Sequence, residues 1–314
     1  MNKKYLVLAY YSFTALEDPH GEVERHKKFL ENRDATARIY LSEQGINGQL
    51  SAACEDAKIY MEWMHSRPEF QNLHFKVHEH YEQAFPRLSI KYRKQLVAID
   101  QEVDISVTGE HVSPKKWKEM LESSERPLLL DVRNDYESKV GHFEGATLPA
   151  CNTFREFIAY TEELCQKVDP ENTPVMMCCT GGIRCEIYSS VLLKKGFKKV
   201  YQLDGGIINY GLEVGAKHWL GKLFVFDDRM TIPIAQEQTP VIGTCHHCQT
   251  TTENYYNCAN MDCNELFLCC GKCIESYLGC CKETCKDAPR IRSYHEQTPH
   301  KPFRRKSICS LSKV

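Results

Sequence analysis

The chain has 314 residues, 42% hydrophobic and 26% charged, with a formal net charge of -2. That length holds two or three domains and a well-buried core. No stretch approaches the roughly 18 uninterrupted apolar residues of a membrane span, which argues against membrane partners and for a globular protein. The charge is uneven: from Lys286 onward eight basic residues face two acidic ones, a local +6 that leaves -8 on the rest. A basic tail on an acidic body fits either a polyanionic partner or a merely solvated end.

In chain order, the run Tyr5 to Tyr11 follows two lysines but has no small-residue cleavage site, so it predicts a first strand rather than a signal peptide. Helices are expected over Glu22–Asn32 and Asp56–Met64, and strands over Thr36–Leu41, Gly45–Ser51, Phe75–His78 and Ser89–Tyr92. The order βαββαβ predicts an α+β ferredoxin-like (acylphosphatase-like) domain over residues 1–100. A polar stretch, 101–112, reads as a linker. Ser113-Pro114 then caps a helix. Buried strands at 127–132, 175–178 and 199–203 alternate with helices at 154–167 and 186–196, which predicts a parallel α/β domain over 113–220. A cysteine-rich module (240–288) and the basic tail (289–314) follow.

The segment Val175 to Cys185 carries the chemistry. A buried strand delivers Cys179 at its carboxyl end, where open α/β sheets place their ligands. In the loop Thr180-Gly181-Gly182-Ile183 the two glycines let the backbone turn its N–H groups inward, and a helix N-terminus follows. Such a nest lowers a thiol's pKa, and Arg184 adds a fixed charge. Cys185 is placed to resolve an oxidised or sulfur-loaded Cys179, or is simply a buried thiol. Asp131 and Arg133, at the end of a neighbouring strand, either orient the loop or pair to hold the sheet edge.

Cys179-Thr180-Gly181-Gly182-Ile183-Arg184 resembles the active loop of rhodaneses, Cys-x-x-Gly-x-Arg. Leu129 to Arg133 with Glu137, Gly141 to Ala146, and Leu203-Asp204-Gly205-Gly206-Ile207 are similar to three further rhodanese segments in the right order, with Glu144 replacing the usual Pro. Counting instead from Cys178 gives the longer phosphate-binding loop of tyrosine phosphatases, so a phosphatase remains an alternative. The glycine placement favours Cys179 and a rhodanese-like fold.

Ten of the 17 cysteines fall between Cys245 and Cys285. This density without an export signal predicts metal binding in a reducing cytoplasm rather than disulfides. Ten thiols supply two four-cysteine sites with two left over. Cys245, Cys248, Cys270 and Cys273 are the first ligands expected, with Cys258, Cys263, Cys281 and Cys285 as further candidates and His246 and His247 as substitutes. Zinc is the expected metal and an iron–sulfur cluster the alternative.

The whole arrangement resembles a bacterial family of tRNA uridine hydroxylases. The resemblance lies in Leu41 to Gly48, Phe85 to Lys91, Cys179 to Glu186, and Cys245-x2-Cys248 with Cys258-Ala259-Asn260. It implies an oxidoreductase that uses molecular oxygen to form 5-hydroxyuridine at the tRNA wobble position, a Cys179 persulfide, and an electron donor that the sequence does not identify. Arg87, Lys91, Arg93 and Lys94 are then candidate phosphate contacts, with Tyr92 and Phe85 available to stack a base; otherwise these residues are the two faces of an ordinary strand. Two other function classes stand beside it: a sulfurtransferase acting through Cys179, and a zinc-stapled RNA- or protein-binding factor without catalysis.

Overall fold

Asp18 and Pro19 start the first helix: the Asp18 carboxylate accepts the Gly21 N–H at 2.8 Å, with proline at the first helical position. In the computed structural model, which describes residues 4–293, this helix is α1 (Pro19–Leu30). Most of the expected basic tail lies outside the described residues. With α1 stand β1 (Tyr5–Phe13), β2 (Ala35–Ser42), β3 (Gly45–Ala53), α2 (Cys54–His65), β4 (Lys76–His80) and β5 (Leu88–Tyr92). The sheet order is β4-β1-β3-β2-β5, antiparallel except for the β2–β5 edge. After the βαββαβ order, β5 is the fifth strand, at the position expected for Ser89–Tyr92.

Side chains alternate across a strand. Leu8, Ile39, Leu41, Ile46, Leu50 and Ile90 therefore face α1 and α2 and form the core. The strand register puts Tyr11, Arg38, Tyr40, Asn47, Gln49, Lys76 and Lys91 on the opposite face. That second face looks at the next domain.

The expected linker is not a free connector. Ile99 is buried in the second domain's core, and Val103 and Ile105 pack against it. The Ser190 hydroxyl donates to the Asp104 carbonyl. Alternation of apolar with acidic residues at 102–105 hid this packing. β6 (Glu110–Val112) then forms an edge of the second sheet.

After it come α3 (Pro114–Glu122), β7 (Leu128–Asp131), α4 (Asp135–Ser138), β8 (Gly141–Phe143), α5 (Phe157–Lys167), β9 (Val175–Cys178), α6 (Ile183–Lys194), β10 (Val200–Leu203) and α7 (Gly206–Glu213). The order β6-β10-β9-β7 is wholly parallel. β9 is apolar throughout because helices cover both faces, while β10 carries the buried Gln202, which donates to the Gly109 carbonyl at 2.9 Å. α6 begins three residues before the expected Glu186, which puts Arg184 and Cys185 in its first turn.

Short pairings complete the chain. β11 (Trp219–Gly221) joins β8, and β12 (Leu223–Phe224) pairs with β13 (Thr231–Ile232). β14 (Tyr255–Asn257), β15 (Leu266–Leu268) and α8 (Gly271–Ser276) frame the cysteine-rich module. Tyr255 docks it, packing edge-on to Phe224 at 5.3 Å and donating to the Tyr136 carbonyl. Among the described residues, no helix is long and apolar enough to cross a membrane.

Candidate active site

β9 ends at Cys178 and the chain turns at once into α6, so Cys179 sits where backbone N–H groups are unpaired. Its sulfur is fully buried and accepts the Gly182 N–H at 3.1 Å. Burial opposes ionisation. The Cys185 thiol, the charge of Arg184 and the N–H groups of Cys185 and Arg184 outweigh it and hold the Cys179 thiol down at about 5. Cys179 is therefore a thiolate at neutral pH. Cys185 is the reverse case: burial and the adjacent thiolate push its pKa well up, so it stays protonated as a donor. Cys178 projects to the other side of the sheet, into the core with Met176 and Leu203, and burial keeps it neutral. The phosphatase register thus starts from a core residue.

The loop is clamped from three directions. Arg184 is held by Glu137 through a two-pronged ion pair at 2.5 and 2.8 Å, and the Thr180 hydroxyl donates to the same carboxylate at 3.3 Å. The Ile207 and Ile208 N–H groups donate to the Cys179 and Thr180 carbonyls at 3.0 and 3.1 Å. A Cβ at Gly206 would lie 2.7 Å from the Cys179 carbonyl oxygen, so only glycine lets α7 come this close. Ile183 starts α6 and lines the space above the sulfur.

Asp131 and Arg133 form a fully buried pair, with Arg133 also donating to the Gly141 carbonyl at 2.6 Å. Neither side chain bonds the catalytic loop, so they hold the end of β7 against β8. Glu137 is the partner that sequence reasoning noted only within a motif. The signal was there: a buried arginine requires a carboxylate.

The third clamp comes from the N-terminal domain. Lys76 is 4% exposed and donates to the Gly181 carbonyl at 2.8 Å. Its ammonium stands 5.2 Å above the Tyr11 ring, whose hydroxyl donates to Glu186 at 3.1 Å. Burial lowers Lys76 to about 8, against the opposing pull of the Cys179 thiolate. A cavity of about 230 Å³ lies between sheet and loop, with Cys179, Arg184, Lys76, Asn47 and Gln49 in its walls.

Arg87, Lys91, Arg93 and Lys94 are exposed, and the Arg93 guanidinium covers the Tyr40 ring at 5.1 Å. Phe85 is not available for stacking a base: it is buried against Val7 and Ala84. Tyr92 is already occupied, stacked on His20 at 4.3 Å and donating to Glu43.

The structure gathers Cys245, Cys248, Cys270 and Cys273 into one group and Cys258, Cys263, Cys281 and Cys285 into another, with the sulfurs of each within 4.8 Å of one another. Cys248 and Cys270 are 3.7 Å apart, and Cys263 and Cys281 3.6 Å. A tetrahedral ion with metal–sulfur bonds of about 2.3 Å sets sulfurs about 3.8 Å apart. Each tetrad therefore fits one ion. Cys269 and Cys280 remain outside, and His247 stacks on Tyr277 at 3.7 Å instead of joining a tetrad.

A thiolate in a rhodanese-type loop, roofed by a second domain and followed by two cysteine tetrads, defines a multidomain rhodanese-class protein. Family models agree along the chain: a UPF0176 acylphosphatase-like domain matches residues 5–96, a rhodanese-like domain 113–212 and a rhodanese C-terminal region 220–286. A tRNA uridine(34) hydroxylase of Protochlamydia amoebophila is 64% identical over 96% of this chain and 94% of its own length. Proteins of the same name from Chlamydia pneumoniae and Chlamydia trachomatis serovar D are 56% and 53% identical, covering 99% and 98% of the chain and 97% and 95% of their own lengths. The chain belongs to the tRNA uridine(34) hydroxylase family.

Proposed function

We propose that this protein is an oxidoreductase that hydroxylates C5 of the wobble uridine of tRNA, with Cys179 as its reactive residue. The observation that carries this reading is the cavity of about 230 Å³ that joins the Cys179 thiolate to the polar face of the N-terminal sheet. A wobble base lies in a single-stranded loop, so presenting it costs little unpairing energy. Arg87, Lys91 and Arg93, exposed on β5 and at its two ends, supply cations for the flanking phosphates, which position the RNA without reading its sequence.

Within the site, Cys179 is the nucleophile facing the base. Arg184, fixed by Glu137, keeps the sulfur ionised, and Lys76 ties the loop to the sheet. One atom of molecular oxygen enters the C5–H bond; the other leaves as water with two electrons and two protons from a separate donor. The tetrads are read as two structural zinc sites, because four sulfurs this close suit a single ion better than a multi-iron cluster. Zinc there supplies folding energy to the module. A tRNA substrate and cysteine-rich metal sites both support a cytoplasmic location.

Deleting the gene removes 5-hydroxyuridine from tRNA, read by nucleoside mass spectrometry, and a Cys179→Ser allele does not restore it. An unchanged nucleoside profile in the deletion strain overturns the reading. Strong transfer of sulfur to cyanide by the purified protein, together with that unchanged profile, assigns it to sulfurtransferases instead.

A further inference from the structure

Gly45-Ile46-Asn47-Gly48-Gln49-Leu50 lies on β3, the central strand of the N-terminal sheet. Its even positions serve packing. Ile46 and Leu50 are fully buried under the helices, and a Cβ at Gly48 would fall 2.3 Å from the Tyr10 ring. Its odd positions, Asn47 and Gln49, point the other way, into the Cys179 cavity. Asn47 is in register with Tyr11 and Tyr40, and Gln49 with Ala9 and Arg38.

Among the described residues, neither amide side chain has a hydrogen-bond partner. Both side chains are partly exposed to the cavity, so their amides are free to bond whatever occupies it. Each amide offers one acceptor and two donors. The cavity holds about eight waters' worth of volume at roughly 30 Å³ each, the scale of one base rather than a whole nucleotide.

We infer that Asn47 and Gln49 are the base-reading residues of the site, hydrogen-bonding the edge of a uracil placed against Cys179. The inference rests on the uridine reading above and deepens it. Uracil presents two carbonyl acceptors flanking an N–H donor, and a carboxamide pairs with one acceptor and the donor together. An amide alone could turn over and accept cytosine. Lys76, in the same wall, has donors only. It favours the O4 acceptor of uracil and opposes the amino group that cytosine carries there. The two amides and the lysine thus make a wall of fixed polarity.

The test is equilibrium binding of three anticodon stem-loops, carrying uridine, cytidine or an abasic site at position 34, to the full-length protein. The wild type prefers the uridine loop over the cytidine loop by about 10- to 100-fold, the range expected for paired hydrogen bonds to one base. In Asn47→Ala/Gln49→Ala this preference falls to less than about threefold, while affinity for the abasic loop stays at the wild-type value because phosphate contacts persist. Gln49→Glu keeps the side chain's shape, replaces its donors with acceptors and adds a negative charge, so it weakens all three loops, the uridine loop most. Retention of the preference in the double variant, or its absence from the wild type, overturns the inference. A wild-type preference that depends on the amides, in a protein whose deletion leaves 5-hydroxyuridine unchanged, overturns the hydroxylase reading and leaves the base pocket standing.

Discussion

Cys179 and Cys258 are both fully buried, yet the chain treats them in opposite ways. At Cys179 the chain supplies the positive field itself: the Gly182 N–H, the first turn of α6, and the Arg184 charge. In the tetrads, thiols face one another across 3.6 to 3.7 Å contacts. As thiolates they would repel, and only a cation from outside the chain makes them compatible. The same residue is a reagent where backbone and arginine stabilise its charge, and a ligand where that is left to an ion.

This contrast breaks most visibly when metal is removed. Structural zinc contributes about 10–16 kcal/mol to small cysteine sites. A strong chelator is expected to unfold the module, exposing residues 240–288 to protease, with two metal ions per chain released and counted by mass spectrometry. The rhodanese loop owes its field to the chain, so the acidic titration of Cys179, followed by pH-dependent alkylation of its peptide, stays near 5. If that titration moves with the metal, the two regions are not independent. Glu137→Ala is the converse experiment. It strands Arg184 without its partner and costs about 3–5 kcal/mol in denaturant unfolding. Metal content is unchanged.

Legibility in the sequence follows the same division. The Cys179 loop is local: strand, turn, glycine pair and arginine occupy adjacent positions, so spacing narrows the reactive residue to Cys178 or Cys179 and the glycine placement favours Cys179. Cysteine spacing likewise suggests both tetrads, since each draws its ligands from two short segments. What spacing does not carry is contact across domains. Lys76 lies 105 residues from the Gly181 carbonyl it bonds, and Tyr11 lies 175 from Glu186. In the sequence, Lys76 is one more charge on an edge strand. Phe85 fails for a related reason: its side chain meets Val7 and Ala84, a packing that only the folded sheet reveals. The segment 101–112 looks like a linker in sequence because its acidic residues mask the alternation of Val103 and Ile105, which pack on the second domain.

Lys76 gives the finest test, because it shows that the field at Cys179 comes from two domains. Its ammonium faces Cys179, Tyr11 and, farther off, Asp204. Cys179, held at about 5, gains its charge as pH rises through that value. Lys76, held at about 8, loses its charge as pH rises through that one. Tyr11 is pushed far up by burial and titrates outside this window. The thiolate–ammonium form therefore predominates between about 5 and about 8, and the single-turnover rate on tRNA is bell-shaped with those limbs. Lys76→Met removes the alkaline limb and shifts the acid limb upward, since the thiolate has lost a neighbouring cation. The rate falls by about tenfold or less, equivalent to about 1.4 kcal/mol. Lys76→Arg keeps a charge that does not titrate, so it leaves the acid limb in place and extends the plateau to higher pH. An alkaline limb that survives in Lys76→Arg would return the whole field to the rhodanese loop and restrict the N-terminal domain to holding the base.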